Sequence, residues 1–213
     1  MKKTGYILFV LSAVIFIIAH SFDKHIITNI VKPIPLIILI ILVNRNSLYN
    51  KLIITGFVFS LLGDILLMET IDMFVFGLIG FLIAHVFYII AFFKQSSRTE
   101  LLSSIPFYIY GIIFYIFLYK SLREMAIPVA FYMLIITTML WRSFVQRNSS
   151  IMTKWAWYGA VLFTFSDSMI VVSKFDEPFF LSSIFIMITY WGGQFLIYWS
   201  TNPLSVPNSN SVK

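Results

Sequence analysis

The chain has 213 residues, of which 60% are hydrophobic and 11% charged, and its formal net charge at pH 7 is +6. This composition is too apolar for a soluble globular protein, and at ~20 residues per membrane span the apolar runs and their loops leave no room for a soluble catalytic domain. The absence of cysteine excludes disulfides, a thiol nucleophile and thiolate-bound zinc, and the scattered basic residues argue against nucleic-acid binding.

Eight apolar runs predict eight transmembrane helices. Only helices and closed barrels satisfy their backbone groups in a bilayer, and these runs lack the alternation that is typical of barrel strands. The runs cover residues 6–19, 34–43, 52–68, 73–93, 101–119, 125–144, 155–172 and 179–199. We therefore predict an all-α integral membrane bundle, with one helical domain over residues 1–200 and a disordered cytoplasmic tail over residues 201–213.

The second apolar run is short for a membrane span. Its ten residues rise only about 15 Å as a helix, which is half the hydrocarbon thickness. Including residues 26–31 would lengthen the helix but would place Lys32 and Pro33 within it. A re-entrant segment, with seven spans in total, is the alternative.

Small residues recur at helical spacing in the third and fourth runs. The third run carries Gly56 and Gly63, and the fourth carries Gly77 and Gly80. Because small residues let helix backbones approach closely in a bilayer, we predict tight helix packing along these faces.

The basic residues predict the orientation of the chain. With eight spans, ten of the 15 Lys and Arg residues lie on the side of the N-terminus, and the positive-inside rule then places both termini in the cytoplasm. The acidic loop residues Glu69, Asp72, Asp176 and Glu177 fall on the outside. We expect a multi-pass protein of the cell (inner) membrane.

Two aspartates, Asp64 and Asp167, lie well within apolar runs. A charge in the hydrocarbon costs at least about 2.5 kcal/mol, so such residues indicate a functional site, although a hydrogen-bonded aspartate that joins helices is the alternative. Each is 13 residues after a cytoplasmic lysine, Lys51 or Lys154, so both should lie at one depth in the outer half of the bilayer. Brought together, one carboxyl would stay protonated and the other ionised, which provides an acid and a base.

Other polar side chains could belong to the same site. His85 and Tyr88 share a face of the fourth helix, and Tyr190 and Gln194 are one turn apart on the eighth. A lone histidine in a bundle is more often structural than catalytic, but two neighbouring aspartates would strengthen a catalytic role. Tyr190 is equally suited to ordinary aromatic packing.

Ser166 and Lys32 are weaker candidates. Ser166 precedes Asp167 and is as suited to bonding the backbone as to binding a substrate. Lys32 at the outer end of the second helix could pair with a lipid phosphate or an aspartate, or extend to the membrane surface. With only three histidines and no glycine-rich phosphate loop, we expect no metal and no cofactor.

One segment of the third run, residues 59–68, reads FSLLGDILLM. It resembles the third-helix motif of the YhhN-like, or lysoplasmalogenase, family. Further similar segments follow in the family's order: Lys32-Pro33, residues 76–88 on the fourth helix, residues 159–168 on the seventh and residues 190–200 on the eighth.

This resemblance implies an eight-helix membrane enzyme that hydrolyses the vinyl ether bond of lysoplasmalogens, with a lysophospholipid as substrate and a fatty aldehyde and a glycerophospho-base as products. On this basis Asp64 and Asp167 are the predicted acid and base, with His85 as an orienting or proton-relay residue. The predicted substrate-binding residues are Lys32, near the phosphate, Tyr88, Ser166, Tyr190 and Gln194.

Two other classes remain open. Intramembrane aspartyl proteases also pair two aspartates, but Leu62 and Ser166 depart from their pattern. A proton- or ion-coupled transporter of lipids or small molecules could also use Asp64 and Asp167, as could another intramembrane lipid hydrolase. Turnover by the solubilised protein distinguishes an enzyme from a carrier.

Overall fold

The structure, a computed structural model, describes residues 2–68, 70–175 and 181–202, and within these ranges it contains helices and no strand. The α-helices of this part of the chain are α1 Lys2–Ser21, α2 His25–Val31, α3 Ile34–Leu42, α4 Leu48–Leu66, α5 Phe74–Gln95, α6 Ile105–Leu122, α7 Ala126–Gln146, α8 Thr153–Phe175 and α9 Ser182–Trp199. The predicted all-α class is confirmed. The start of the predicted eighth run at 179–180, the loop acids Glu69, Asp176 and Glu177, and tail residues 203–213 lie outside the described residues.

Apolar composition and length identify a multi-pass membrane protein. Six segments of the described chain are long and apolar enough to cross a membrane: Lys2–Ser21, His25–Leu42, Leu48–Leu66, Phe74–Gln95, Leu101–Gln146 and Thr153–Phe175. This number does not establish the predicted count of eight. The segment Leu101–Gln146 contains both α6 and α7, and α9 is not among the six.

The second predicted run is longer in the structure than residues 34–43. Lys32 and Pro33 between α2 and α3 both have right-handed helical backbone angles. The Lys32 amide donates to the Thr28 carbonyl, and the Ile37 amide donates to the Pro33 carbonyl. The helical direction therefore continues through the polar pair, and the 18 residues of His25–Leu42 suffice for a span.

Glycines bring two helix pairs into close contact. A Cβ atom on Gly80 of α5 would lie 3.0 Å from the Gly63 nitrogen of α4. Between α8 and α9, a Cβ atom on Gly159 would lie 2.6 Å from the Gly193 carbonyl oxygen. These distances leave no space for a side chain, so the backbones approach because glycine stands at these positions.

Hydrogen bonds show which helix ends lie together. The Lys2 ammonium donates to the Asn202 side chain at 2.7 Å, and the Asn50 amide donates to the Thr201 carbonyl at 3.1 Å. The beginnings of α1 and α4 and the end of α9 therefore lie at one end of the bundle, which we call the terminal face. The opposite face carries the ends of α1, α4 and α8 and the beginnings of α2, α5 and α9.

Candidate active site

A cavity of about 340 Å³ lies between the helices at the opposite face. Its mouth is lined by polar residues, including His25, Asp72 and Lys174, and its interior is largely apolar. The cavity reaches Asp64 and Tyr190. A buried carboxyl is therefore accessible from one end of the bundle.

Asp64 of α4 is 2% exposed and interacts with two residues from other parts of the chain. The Tyr190 hydroxyl of α9 donates to Asp64 Oδ2 at 2.8 Å. Lys32, which also lines the cavity, interacts electrostatically with the same carboxyl. Three of the predicted site residues therefore meet at the cavity wall.

Asp167 of α8 is equally buried but has different partners. Its Oδ2 accepts a hydrogen bond from the Tyr132 hydroxyl of α7. His85 of α5 has Nε2 at 3.4 Å from the same oxygen. The described lining of the cavity includes neither Asp167 nor His85.

Aromatic rings connect the surroundings of the two aspartates. The Phe163 ring lies 4.7 Å from the His85 ring and 5.3 Å from the Tyr190 ring, measured between centroids. Asp64 and Asp167 also interact electrostatically with each other. The acids and their partners thus form one cluster, with Phe163 between His85 and Tyr190.

Tyr88 and Gln194 form a hydrogen-bonded group next to this cluster. The Tyr88 hydroxyl donates to Gln194 Oε1 at 2.9 Å, and Gln194 Nε2 donates to the Ser60 hydroxyl at 3.1 Å. All three side chains are fully buried. Their hydrogen bonds join α4, α5 and α9, and none of the three is among the described residues lining the cavity.

Ser166 contacts a neighbouring helix. Its hydroxyl donates to the Ile186 carbonyl of α9 at 2.9 Å and is fully buried. In this position the hydroxyl stabilises the contact between α8 and α9.

Sequence reasoning missed Tyr132, Ser60 and Lys174. Tyrosine and serine are common in membrane helices, and the chain holds 11 tyrosines, so nothing in the sequence distinguishes Tyr132. Lys174 appears in the sequence as an ordinary lysine at a helix end. In the structure its Nζ lies 5.0 Å from the centre of the Phe74 ring at the cavity mouth.

The described residues offer no cluster of three or more His, Asp or Glu side chains that could hold a metal ion. The polar groups of the site are instead carboxyls, phenols, an imidazole and amines. These groups transfer protons, stabilise charge and bind anions.

Known proteins resemble the chain over most of its length. The model of the YhhN family matches residues 27–201. The lysoplasmalogenase TMEM86B of Homo sapiens is 33% identical, over 76% of this chain and 68% of the human protein. The Rattus norvegicus protein of that name is 31% identical, over 80% of this chain and 71% of the rat protein.

A lysoplasmalogenase homolog of Dictyostelium discoideum is 27% identical, over 92% of this chain and 84% of its own. No solved structure matches the chain. The family match covers well over half of the chain and includes Lys32, Asp64, His85, Asp167, Tyr190 and Gln194. The chain therefore belongs to the YhhN family.

Proposed function

We propose that this protein is a membrane lysoplasmalogenase, which hydrolyses the vinyl ether bond of a lysoplasmalogen to a fatty aldehyde and a glycerophospho-base. Membership of the YhhN family and the lysoplasmalogenase relatives support this activity. The observation that carries it is a buried carboxyl, Asp64, at the wall of a cavity within an apolar helical bundle. Such a carboxyl can give a proton to a lipid that enters from the membrane.

The first chemical step is protonation of the double bond. Asp64, as a carboxylic acid, gives its proton to the vinyl carbon that is not bonded to oxygen, which leaves an oxocarbenium ion and the Asp64 carboxylate. Asp167, in its ionised form, stabilises this cation from its neighbouring buried position beside His85. We assign the acid to Asp64 because this aspartate lines the cavity.

The second step is addition of water. Water attacks the carbon bonded to the ether oxygen, and its proton returns to the Asp64 carboxylate, which restores the acid. The resulting hemiacetal loses its hydroxyl proton as the bond to the glycerol oxygen breaks, and that oxygen gains a proton. His85, beside Asp167, is the relay for these last proton transfers.

The remaining predicted residues have supporting roles in this scheme. Tyr190 orients Asp64 through its hydrogen bond and contacts the substrate in the cavity. Tyr88 and Gln194 support this wall of the cavity from the neighbouring hydrogen-bonded group. Ser166, predicted as a substrate-binding residue, fixes α8 against α9 beside Asp167 in this scheme.

The lipid headgroup binds at the cavity mouth in this proposal. Lys32 and Lys174 both line the cavity, and ammonium groups bind phosphate through charge-assisted hydrogen bonds. With the phosphate near these lysines, the vinyl ether can extend inward to Asp64.

We also infer the topology of the chain. Counting α2 and α3 as one crossing, the helices cross the inner membrane eight times, with both termini in the cytoplasm. The terminal face, which carries Lys2 and Lys51, is the more basic one. The cavity then opens on the outer side of the membrane.

Release of fatty aldehyde from a vinyl ether lysophospholipid, measured with the purified protein in detergent, tests the activity. An ester-linked lysophospholipid of the same chain length is the control substrate, and we expect no release of its fatty acid. Absence of aldehyde from folded protein would contradict the proposal. It would favour a transporter, because a transporter moves its substrate between two compartments and does not convert it.

A further inference from the structure

The carboxyl group of Asp167 is held at one of its two oxygens. Oδ2 accepts the hydrogen bond of the Tyr132 hydroxyl, whereas Oδ1 has no hydrogen-bond partner within the described chain. Both side chains are buried, with 2% of each exposed. Among the described residues, the Tyr132 hydroxyl makes the one hydrogen bond that fixes the rotation of this carboxyl group.

His85 does not replace this hydrogen bond. Its Nε2 is 3.4 Å from Asp167 Oδ2, beyond the usual N–H···O distance of about 2.7–3.2 Å. The imidazole is held by its neighbours instead, edge-on to the Tyr132 ring at 5.5 Å and tilted against the Phe163 ring at 4.7 Å. Tyr132 thus contacts both members of the pair, one through its hydroxyl and the other through its ring.

We propose that Tyr132 is a positioning residue for the hydrolysis of the vinyl ether. Its hydroxyl anchors Oδ2 of Asp167, which leaves Oδ1, an oxygen without a hydrogen-bond partner in the described chain, to stabilise the cation. Its ring keeps the His85 imidazole beside the same carboxylate. This inference rests on the proposed function and adds a residue from α7, a helix to which sequence analysis gave no part in the site.

The hydroxyl has a role that the ring cannot supply. A phenol that donates to a carboxylate stabilises the ionised carboxylate at a buried position, where an unpaired charge is costly. The positive charge of the oxocarbenium ion exists during the reaction and is absent from the bound substrate. Loss of the hydroxyl should therefore slow the chemical step without weakening substrate binding.

Tyr132→Phe removes the hydroxyl and keeps the ring. We expect kcat for aldehyde release to fall at least about tenfold, the effect of one lost charge-assisted hydrogen bond, with KM unchanged. Tyr108→Phe is the matched control, because it also removes a tyrosine hydroxyl that forms a hydrogen bond between two helices. Tyr108 of α6 pairs with the Thr138 hydroxyl of α7 at 2.9 Å. We expect Tyr108→Phe to retain the kcat of the unchanged protein.

Binding of a saturated ether lysophospholipid, which cannot be protonated and hydrolysed in this way, separates positioning from folding. A Tyr132→Phe protein that binds this analogue normally but turns over slowly supports the inference. Normal kcat in Tyr132→Phe would overturn it, and so would joint loss of analogue binding, melting temperature and kcat. Absence of aldehyde from the unchanged protein would instead remove the proposed function, and this inference with it.

Discussion

Asp64 and Asp167 are identical side chains in different surroundings. Asp64 meets the cavity and accepts a hydrogen bond from Tyr190, whereas Asp167 lies outside the described cavity lining and accepts one from Tyr132. The environment of a carboxyl determines whether it acts as an acid or as a fixed charge. The two aspartates therefore differ in their access to the cavity, and the different roles proposed for them rest on this difference.

Replacement of either aspartate tests these roles. Asn has nearly the shape of Asp but gives no acidic proton and carries no charge. We expect Asp64→Asn and Asp167→Asn each to lower kcat for aldehyde release by roughly 10²–10⁴-fold, the usual contribution of general acid–base catalysis. Asp23→Asn, at an exposed turn, is the matched control. Near-normal turnover in both site variants, with the helical content retained, would remove the aspartate mechanism.

The two lysines at the cavity mouth allow a test of headgroup binding. Lys32→Gln and Lys174→Gln should each raise KM for a vinyl ether lysophospholipid by about fivefold, since an exposed ion pair contributes ~1 kcal/mol. KM for an alkenylglycerol, which lacks the phosphate, should not change. Lys154→Gln, at the other end of α8 and exposed, is the control. Equal effects on both substrates would argue against a phosphate site.

Sequence analysis could identify those site residues that are unusual where they stand. A carboxyl or an imidazole within an apolar run needs an explanation, so the sequence marks Asp64, Asp167 and His85 as candidates. Tyr132 could not be identified in this way, because a tyrosine in a membrane helix is ordinary and its partner Asp167 is 35 residues away. Which oxygen it binds depends on how α7 packs against α8, and periodicity does not contain that information.

At the scale of helices, glycine contacts determine how the bundle packs. Sequence analysis predicted tight packing along α4 and α5 from their small residues, and the close approach of Gly63 and Gly80 agrees with it. It made no such prediction for α8 and α9, where Gly159 and Gly193 lie opposite each other on separate helices. The predicted run 34–43 is shorter than the helical segment because Lys32 and Pro33 interrupt the apolar sequence. The backbone keeps helical angles through both residues.

Two adjacent glycines of α9 provide a matched pair of substitutions. A Cβ atom on Gly193 would lie 2.8 Å from the Gly159 carbonyl oxygen, whereas one on Gly192 would meet Leu162 at an ordinary 3.5 Å. We expect Gly193→Ala to destabilise the protein by about 1–3 kcal/mol through overpacking, seen as a lower melting temperature in detergent. Gly192→Ala should be neutral or slightly stabilising, because alanine favours helices. The reverse order would contradict the observed helix contact.

At the scale of the whole molecule, composition already indicated the membrane and the helical class. Residues at the helix ends determine the number of crossings and the orientation of the chain, because both depend on short loops and single charges. The terminal face is defined by contacts such as that of Lys2 with Asn202, which joins residues 200 positions apart. No local pattern predicts such a contact.

Single cysteines can test the orientation, since the chain has none of its own. Ser149→Cys places a thiol at an exposed position of the terminal face, and Ser21→Cys places one at the opposite face. In right-side-out vesicles, a membrane-impermeant maleimide should label Ser21→Cys and should reach Ser149→Cys only after the membrane is broken. The opposite pattern would place the termini outside.

The polar mouth of the cavity has a consequence for how the products of the proposed reaction leave. The glycerophospho-base is water-soluble and can diffuse away past Asp72 and Lys174. The fatty aldehyde is apolar and partitions into the lipid, so each product moves into its own solvent. The two products then seldom return to the cavity together. Their dilution into two phases makes the hydrolysis effectively irreversible without a second enzyme.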